Sequence, residues 1–587
     1  MKQQSQQNVW VDRLFSLLLQ SDRLHIPSPL STHYRNKMTY SIPMIPTNAA
    51  PLAQENVQDV CRWVDAFEKN SEESSMGIAE VMVKATRSGD LMVRLTLAAG
   101  STKTDAPSDD GAENDEQHCP SNLLQLRDRL LMAFPKVVCL SFNRQPTPGK
   151  RPTKTEPLMF LTPKHHVWDV TPDHAYRYRL SPDTFAEVNP TVEAQQYAQT
   201  QEWLALERRQ TAHPSTLLVS GRDISVFALG YGASFDHVVA IQHCPLVHAD
   251  AMYNLSDRDK YTVLHCPNKS DMGRMLLQQE NQQQTIAGAV LTGGRKGLDP
   301  KYIECLVSTR SLSFIIYNSC STKSLVRDMR AFLGTFRIQG FQSYDFFPGT
   351  AYSASLTYLV RCRHSTALVL PIGPAGVGKS TLARQLERIC AGGVRVWGRD
   401  EVFARLRKSL PSLASTKRQV HKELLEFLTA RNDIRSSIRV LDSTNGSRDA
   451  RALYVQTAQP ETVVCVNWNT SNVDWLLTRT AHRLGDNVEQ HPSFPTTVEE
   501  QRLKHQAIMK GIEFADIKEV EQLVDDQRMV VFTVAPETVN MEDLAFAVLA
   551  AIHTTTKQQI MDTIVSPIPG IQQVDYHPTS KDEVPGK

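Results

Sequence analysis

The spacing of apolar residues changes near residue 190, and the change divides the chain into two kinds of structure. Before it, apolar and polar residues alternate, as at residues 91–97 (LMVRLTL), which is typical of β-strands with one buried face. After it, short apolar runs such as 216–219 and 238–241 are separated by helical stretches. Because buried parallel strands read as continuous apolar runs, the pattern predicts an α+β part followed by parallel α/β structure.

The same pattern predicts five segments. They are an N-terminal helix (1–30), an α+β part (31–190), a parallel α/β domain (191–361), a second α/β domain (362–555) and a disordered tail (556–587). Residues 101–118 are acidic and polar with almost no large apolar residue, which predicts a disordered surface insertion. The tail is polar and contains several prolines, which is typical of disordered termini.

The N-terminal segment contains an amphipathic stretch at residues 9–24 (VWVDRLFSLLLQSDRL). Its two aspartates, Asp12 and Asp22, and its few arginines match a mitochondrial presequence poorly. We interpret the stretch as a packed helix or as a surface for a protein partner, with a targeting role as the alternative.

Composition narrows the classes of function. The chain has 587 residues, 41% hydrophobic and 22% charged, which is typical of several folded domains. Its net charge is +1, so a nucleic acid would have to be recognised by a local patch. No apolar run approaches the roughly 20 residues that span a bilayer, so no membrane role is expected. The ten cysteines lack C-x-x-C pairs, which argues against zinc ribbons and secreted disulfide scaffolds. An intracellular location is expected, cytoplasmic or nuclear, with the mitochondrion as the alternative.

A glycine-rich stretch at residues 373–380 (GPAGVGKS) follows an apolar run and opens a segment with helical period. In that context the match to G-x-x-x-x-G-K-[ST] predicts a P-loop, whose backbone N–H groups surround the phosphates of ATP. Lys379 is expected to reach the β- and γ-phosphates, and Ser380 to hold Mg²⁺. The predicted nucleotide-binding residues of this loop are Gly373, Gly376, Gly378, Lys379, Ser380 and Thr381.

Residues 439–445 (RVLDSTN) form an apolar run that ends in D-x-T-N. With the P-loop, this pattern resembles the polynucleotide-kinase-like branch of the P-loop kinases. The resemblance implies that Asp442 lies by the metal or the substrate and that Arg448 lies near the phosphates. It also implies that Asp400, which ends residues 394–400 (VRVWGRD), accepts the proton of a substrate hydroxyl. The alternative for Asp400 is an N-cap of a helix at 401–408.

Two arginines, Arg479 and Arg483, lie four residues apart in a predicted helix and therefore on one face. The kinase resemblance implies that they form a lid over the phosphates and stabilise the transferring charge. The alternative is a solvated helix face. Related kinases act on aminoacyl-tRNA or on small molecules, so the acceptor stays open between these and an RNA end.

A second set of motifs lies between residues 31 and 361. In chain order they are YRNK (34–37), LSPDTFAEVNP (180–190), RKGL (295–298), SCST (319–322) and DFFPGT (345–350). Together they resemble the RNA uracil-C5-methyltransferases of the TrmA/RumA type. The resemblance implies a Rossmann-like domain with an N-terminal α+β part, tRNA or rRNA as partner and S-adenosylmethionine as methyl donor. Cys320 stands at the position of the nucleophile that adds to C6 of uracil.

Several positions depart from the methyltransferase pattern. Tyr352 and Ala354 stand where a histidine and the basic glutamate are expected. The weak candidates for cofactor binding are Glu187 for a glutamine, Gly221 in a loop with bulky neighbours, Gln242 for an acidic residue and Thr292 for an aspartate. These departures predict an impaired methyltransferase, in which Cys320 is a residue kept by ancestry, and they argue against S-adenosylmethionine binding.

The sequence therefore predicts an α/β protein, with a Rossmann-like methyltransferase domain and its α+β part followed by a P-loop NTPase kinase-like domain. The favoured function is RNA processing or modification, in which a weakened methyltransferase-like domain docks RNA and an ATP-dependent kinase phosphorylates an RNA end. The alternatives are a working tRNA uracil-5-methyltransferase with a rearranged base and cofactor loop, and a non-catalytic assembly factor for an RNA particle.

Overall fold

The computed structural model describes most of the folded segments of the chain. These are residues 9–30, 35, 37–41, 55–70, 76–98, 121–144, 158–182, 184–210, 215–221, 224–256, 259–268, 271–281, 285–333, 335–348, 350, 353–362, 366–390, 393–410, 412–430, 437–470, 472–484, 498–516, 527–554, 563–565 and 567–577. The predicted disordered insertion at 101–118 lies outside the described residues.

The described residues form helices and strands in alternation. The helices are α1 Val9–Gln20, α2 Glu55–Asn70, α3 Ser121–Ala133, α4 Pro190–Gln210, α5 Ile224–Tyr231, α6 Pro245–Leu255, α7 Met272–Asn281, α8 Pro300–Ser308, α9 Thr322–Phe332, α10 Lys379–Cys390, α11 Arg399–Ser409, α12 Leu413–Thr429, α13 Arg448–Ala458, α14 Val473–Leu484, α15 Val498–Lys510 and α16 Met541–His553. The strands are β1 His25–Ile26, β2 Lys37–Ser41, β3 Ile78–Ala85, β4 Leu91–Leu97, β5 Val137–Arg144, β6 Met159–Phe160, β7 Val167–Val170, β8 Arg177–Leu180, β9 Thr216–Ser220, β10 His237–Gln242, β11 Tyr261–His265, β12 Ile286–Thr292, β13 Phe314–Ser319, β14 Phe336–Tyr344, β15 Ala354–Arg361, β16 Thr366–Ile372, β17 Val394–Gly398, β18 Ser437–Asp442, β19 Thr462–Trp468, β20 Arg528–Val534 and β21 Ile571–His577.

The chain divides into two compact units that are not continuous in sequence. The cavity unit comprises residues 26–325 and 343–356, and the P-loop unit comprises residues 1–25, 326–342 and 357–587. The N-terminal helix and residues 326–342 therefore group with the P-loop unit rather than with their sequence neighbours, which the predicted segment boundaries at 30 and 361 did not foresee. The dividing line passes through β14 and β15.

In the cavity unit, a small sheet with the order β2-β3-β4-β5-β6 forms the predicted α+β part. Its strands alternate as the sequence indicated. One face is apolar and packs on α2 and α3 through residues such as Val81, Val93 and Leu140. The opposite face carries polar side chains, among them Thr96 and Asn143, which are hydrogen-bonded to each other at 3.1 Å. This second face is directed at the cavity described below.

The second layer of the cavity unit is a parallel sheet in which β9 lies between β10 and β12. The order continues to β11 on one side and to β13 on the other, with every neighbouring pair parallel. After β9, the chain adds β10 and β11 on one side of it and then adds β12 and β13 on the other side. This reversal is the switch point of a doubly wound α/β sheet, so the expected Rossmann-like fold is confirmed.

The P-loop unit contains a six-stranded sheet with the order β17-β18-β16-β19-β20-β21. The first five strands are parallel, and β21 is antiparallel to β20. The predicted disordered tail is therefore wrong for residues 571–577, which extend this sheet as β21. An edge strand is held mainly by backbone hydrogen bonds to its neighbour, and a polar composition does not reveal them.

The N-terminal helix α1 packs within the P-loop unit. Its apolar face, which includes Phe15 and Leu18, is buried, and Trp10 stacks on His553 of α16 with ring centroids 4.9 Å apart. Arg13 forms an ion pair with Asp543 of the same helix at 2.6 Å. The structure supports the expectation of a packed helix, because the chain itself covers the apolar face of α1. A protein partner for this helix stays a prediction.

Candidate functional site

The predicted P-loop joins the central strand β16 to α10 in the P-loop unit. Gly376 and Gly378 have φ angles of +89° and +114°, a backbone conformation that side chains disfavour. A Cβ on Gly378 would also lie 2.6 Å from the Cε atom of Met541, and one on Gly373 would lie 2.9 Å from the Cβ atom of Trp468. The loop is therefore held in a glycine-dependent shape by α16 and by the end of β19.

The lysine of the loop lies inside this curl. Lys379 is 8% exposed, and its Nζ donates to the carbonyl oxygens of Gly373 and Pro374 at 2.9 and 2.6 Å. Ser380 and Thr381 follow in the first turn of α10, where backbone N–H groups and the helix dipole favour an anion. The arrangement suits the phosphates of a nucleotide, and the Ser380 hydroxyl lies where the P-loop pattern predicts a ligand for Mg²⁺.

The two candidate carboxylates come together at the same edge of the sheet. Gly398 and Asp442 are register partners at the ends of the parallel strands β17 and β18, and Asp400 follows Gly398 by two residues. Asp400 is exposed and Asp442 is half-buried. Because β16 is parallel to β18, its carboxyl end, from which the P-loop departs, lies at this edge too. The predicted phosphate-binding loop, the half-buried Asp442 and the exposed Asp400 thus share one rim.

Hydrogen bonds connect the D-x-T-N turn to the start of the P-loop. The amide N–H of Gly373 donates to the backbone oxygen of Thr444 at 3.3 Å. Asn445 adopts a left-handed conformation with φ +49°, and its side-chain amide donates to the backbone oxygen of Pro371 at 3.0 Å. The turn therefore fixes the position of Asp442 relative to the loop.

One sequence expectation at this rim needs correction. The N-cap of α11 is Gly398, so the alternative reading of Asp400 as the cap is wrong. Asp400 lies instead in the first turn, where a carboxylate is favoured by the helix dipole. Arg448 is exposed, and its backbone N–H donates to the Glu513 side chain at 2.8 Å. Its place near the phosphates stays a prediction. Its neighbour Arg451, which the sequence did not single out, is the buried arginine of the site, with 2% of its surface exposed.

The predicted arginine lid lies on α14. Arg479 is exposed, and its guanidinium carbon lies 4.8 Å from the ring centroid of Trp475. The side chain of Arg483 lies outside the described part of the chain. The lid therefore stays a prediction.

A cavity of about 680 Å³ lies in the cavity unit, where the carboxyl ends of β9, β10 and β12 face the polar side of the small sheet. Gly221, Gln242 and Thr292 line it from the parallel strands, and Lys37 and Arg94 line it from the small sheet. Three of the four weak cofactor candidates are thus brought together at a switch point, where doubly wound sheets bind ligands.

The residues of this cavity do not fit the expected recognition of S-adenosylmethionine. Gln242 is 1% exposed, its amide nitrogen donates to the backbone oxygen of Gly221, and its amide oxygen accepts from the N–H groups of His243 and Cys244 at 2.8 and 3.0 Å. That side chain is therefore committed to the backbone and is not directed at ribose hydroxyls. Gly221 faces Thr292, whose Cβ lies 2.5 Å from where a Cβ on Gly221 would be. The Thr292 hydroxyl is buried with no hydrogen-bond partner among the described residues.

The nucleophile and base positions expected for methyl transfer lie at the ends of two strands, β13 and β15. Cys320 follows β13 and is half-buried, and it is not one of the residues that line the cavity. Ser355 of β15 donates to the backbone oxygen of Ser319 at 3.5 Å, so β15 runs beside this loop. Ala354, at the base position, is 5% exposed and offers only a methyl group. Tyr352 lies outside the described residues.

The fourth weak candidate, Glu187, is half-buried in an irregular segment that precedes α4. This segment is anchored by two buried groups. Lys84 of the small sheet donates to the backbone oxygens of Pro182 and Thr184, and Asp250 of α6 accepts from the Ser181 hydroxyl at 2.7 Å. The motif around Glu187 thus ties the small sheet to the parallel sheet within the cavity unit.

Fold and sites define a chain with a methyltransferase-like region and a P-loop kinase-like region. Residues 368–503 match the AAA_33 family, described as an AAA domain. The homologues are RNA uracil-5-methyltransferases. A 23S rRNA (uracil(747)-C(5))-methyltransferase of Vibrio cholerae is 27% identical over 238 residues, 40% of this chain and 58% of that protein. The human tRNA (uracil-5-)-methyltransferase homolog A is 24% identical over 285 residues, 43% of this chain and 42% of that protein.

The chain therefore spans about half the length of the curated relatives it matches. Among solved structures, a Pyrococcus abyssi tRNA (uracil-54, C5)-methyltransferase in complex with S-adenosyl-L-homocysteine is similar at a TM-score of 0.42 and 12% identity, over 61% of this chain and 83% of that chain. None of the described helices is long and apolar enough to cross a membrane.

Proposed function

We propose that this protein is an ATP-dependent RNA kinase whose P-loop unit phosphorylates a 5′-hydroxyl end. The observation that supports the proposal most is the shared rim of the P-loop, Asp442 and Asp400, which are held at neighbouring carboxyl ends of parallel strands. A P-loop alone would serve any nucleotide hydrolase. An exposed carboxylate beside it supplies the acceptor for a proton that phosphoryl transfer to a hydroxyl releases.

In this reaction the hydroxyl oxygen of the RNA end attacks the γ-phosphorus of ATP. The bond from that phosphorus to the β–γ bridging oxygen breaks, and ADP leaves. Asp400 takes the hydroxyl proton, while Lys379 and the loop N–H groups hold the phosphates. Ser380 and Asp442 would hold Mg²⁺, which neutralises charge on the transferred group when bound. Arg479 and Arg483 are assigned to a lid over the phosphates.

The test is transfer of label from γ-labelled ATP to 5′-hydroxyl RNA. Lys379→Ala is expected to lower the rate by about 100-fold or more, because a donor aimed at the transferring charge is lost. Asp400→Asn should retain ATP binding and lose transfer, which separates proton removal from nucleotide binding. Equal labelling by wild type and Lys379→Ala would contradict the proposal.

For the cavity unit we propose RNA docking with a lost or impaired methyl transfer. The homologous proteins are named for action on rRNA and tRNA, which supports RNA as the partner. Four cationic side chains line the cavity, those of Lys37, Arg94, Arg295 and Lys296, and they outnumber the two acidic ones, Glu80 and Asp299. The excess of positive charge suits phosphate groups. The absence of a proton acceptor at Ala354 and the commitment of Gln242 to the backbone support the loss of chemistry.

A working uracil-5-methyltransferase is the second candidate, and the cavity at the switch point favours it. It predicts that 5-fluorouracil RNA traps a covalent adduct through Cys320 and that S-adenosylmethionine binds in calorimetry at micromolar affinity. The proposal made above predicts neither result. Salt-dependent RNA binding without methyl or phosphoryl transfer would instead favour the non-catalytic assembly factor.

A further inference from the structure

A strongly basic stretch lies directly beyond the candidate acceptor carboxylate. Residues 402–422 contain no aspartate or glutamate, although the whole chain has a net charge of only +1. Their six cations are Arg405, Arg407, Lys408, Lys417, Arg418 and Lys422. The stretch forms most of α11 and the first part of α12, two helices that pack against each other, and we call residues 402–422 the basic hairpin.

Packing directs the cations of the basic hairpin outward. Leu406 of α11 and Val420, Leu424 and Leu428 of α12 are buried in the core of the P-loop unit. The apolar residues of α12 recur at helical spacing, so its remaining face is left to the charged side chains. All six cations are exposed to solvent.

Most of this charge is not neutralised by neighbouring acids. Arg405 pairs with Glu423, and Lys422 lies 3.9 Å from Glu426 in an exposed pair of little strength. Lys408, Lys417 and Arg418 have no ion-pair partner among the residues that the structure describes.

The solvent-facing side of α2 carries acids beside its cations, which the basic hairpin does not. On α2, Arg62 lies 3.5 Å from Asp59, and Lys69 lies 2.6 Å from Asp65, so the charges of opposite sign alternate. A helical surface that lacks such acids carries a local positive potential, which attracts polyanions.

The basic hairpin begins at the candidate site. Helix α11 starts at Arg399, immediately after β17, and Asp400 lies in its first turn. Lys408 lies eight residues further on, or about 12 Å along the helix axis at 1.5 Å per residue. An RNA strand whose 5′ end lies at Asp400 would therefore have exposed cations available along α11, beyond that end.

We propose that the basic hairpin is the docking surface for the single-stranded RNA that enters the candidate site. Exposed lysines and arginines bind the phosphate backbone without reading sequence, and they do so with release of counterions. The position of the RNA end at Asp400 rests on the proposed kinase function. The binding of RNA to the hairpin can be measured without phosphoryl transfer.

The probe is a fluorescein-labelled, 5′-hydroxyl single-stranded RNA of about 20 nucleotides, longer than common single-strand binding sites. Anisotropy titrations of the full chain over a series of salt concentrations compare wild type with the double variant Lys417→Glu/Arg418→Glu. The matched control is Arg384→Glu/Lys510→Glu, which reverses two exposed cations of the same unit outside the hairpin. Lys417→Arg/Arg418→Lys keeps the charge and should bind as wild type does.

We expect the hairpin variant to bind at least about tenfold more weakly at low salt, and its slope of log K against log salt to be shallower by about 1 to 2. The control variant should match wild type. Unchanged affinity and slope in the hairpin variant would overturn the proposal. Binding of phosphatidylserine vesicles that depends on Lys417 and Arg418, without binding of RNA, would overturn it too. Circular dichroism and ATP-analogue binding check that the variant is folded.

Labelling assays on the same proteins separate the two claims. If RNA binding depends on the hairpin but no variant or wild type transfers phosphate, the docking surface stands and the kinase proposal falls. If wild type phosphorylates RNA and the hairpin variant does so with unchanged KM, the kinase stands and the docking surface falls.

Discussion

At the scale of single residues, Arg451 illustrates how the candidate nucleotide site is supported. Its guanidinium donates to the backbone oxygens of Asn445 and Glu513 at 2.9 and 2.7 Å. The side chain of Asn467 in turn binds the backbone N–H and oxygen of Ala515 at 3.0 and 2.8 Å. The turn that positions Asp442 is thus joined to the segment after α15 and to β19.

Replacement of Arg451 by methionine should therefore destabilise the P-loop unit. The buried carbonyl oxygen of Asn445 and the partly buried one of Glu513 would lose their donor, which costs about 2 kcal/mol in the free energy of unfolding. The exposed Arg448 is the matched control, and Arg448→Met should change that free energy by less than about 0.5 kcal/mol. Urea unfolding of both variants is the measurement, and equal effects would contradict the role given to Arg451.

A second residue-scale prediction concerns pH. Burial, together with the nearby Arg528 cation, lowers the pKa of His553 to about 4, although the residue ends α16, where the helix dipole favours a charged histidine. The unfolded chain binds a proton here near pH 6.5, and the folded chain does not until about pH 4. The free energy of unfolding should therefore fall as pH falls through this window, by up to about 3 kcal/mol.

The check is a comparison of wild type with His553→Phe, which keeps an aromatic ring against Trp10. Unfolding midpoints measured from pH 7.5 to pH 4.5 should fall less steeply for the variant than for wild type. If the unfolding midpoints of the two proteins fell equally with pH, His553 would not be the cause of the pH dependence.

The conformation of the motif residues at the candidate nucleotide site could be predicted because it is set locally. Gly376, Gly378 and Lys379 act through backbone conformation and helix position, which a short pattern specifies. Arg451 and Trp468 were missed because their roles depend on contacts with residues distant in sequence. A buried arginine after D-x-T-N leaves no periodic signal, so only the structure distinguishes it from Arg448.

At the scale of elements, β21 is a strand that the sequence analysis predicted to be disordered. Its composition is polar, yet it pairs with β20 from Ile571 to His577. The connection relies on Gly570, which has a φ of +86° and lies so close to Val539 that a Cβ would be 2.6 Å from its backbone nitrogen. The composition of a segment indicates how much apolar surface it can bury. It does not indicate whether a sheet edge, here that of β20, is available to pair with its backbone.

Gly570→Ala should therefore loosen β21. The positive φ and the close backbone contact together cost about 2 kcal/mol in the free energy of unfolding. Gly511→Ala is the matched control, because a Cβ there would meet only ordinary contacts at 3.6 and 3.7 Å. Hydrogen exchange of the β20 and β21 amides measures the effect, and equal protection in both variants would contradict this account of the strand.

At the scale of the whole molecule, the two regions differ in how well sequence and structure agree on chemistry. In the P-loop unit, the residues that the motif singles out meet at one rim. In the cavity unit, the fold and a cavity are present, but Gln242 is bound to the backbone and Ala354 replaces a proton acceptor. The sequence predicted both folds, because strand and helix periodicity extend over many residues. It did not predict the interleaved units, because grouping of residues 1–25 and 326–342 with the P-loop region depends on tertiary packing.

The central claim is that the P-loop unit transfers the γ-phosphate of ATP to the 5′-hydroxyl of RNA. The most direct measurement is single-turnover transfer from γ-labelled ATP to two RNAs of one sequence, which end in a 5′-hydroxyl or in a 5′-phosphate. Label is predicted on the 5′-hydroxyl RNA alone, released by a 5′-phosphatase, and reduced about 100-fold or more by Lys379→Ala. Label on neither RNA, or on both equally, would contradict the account.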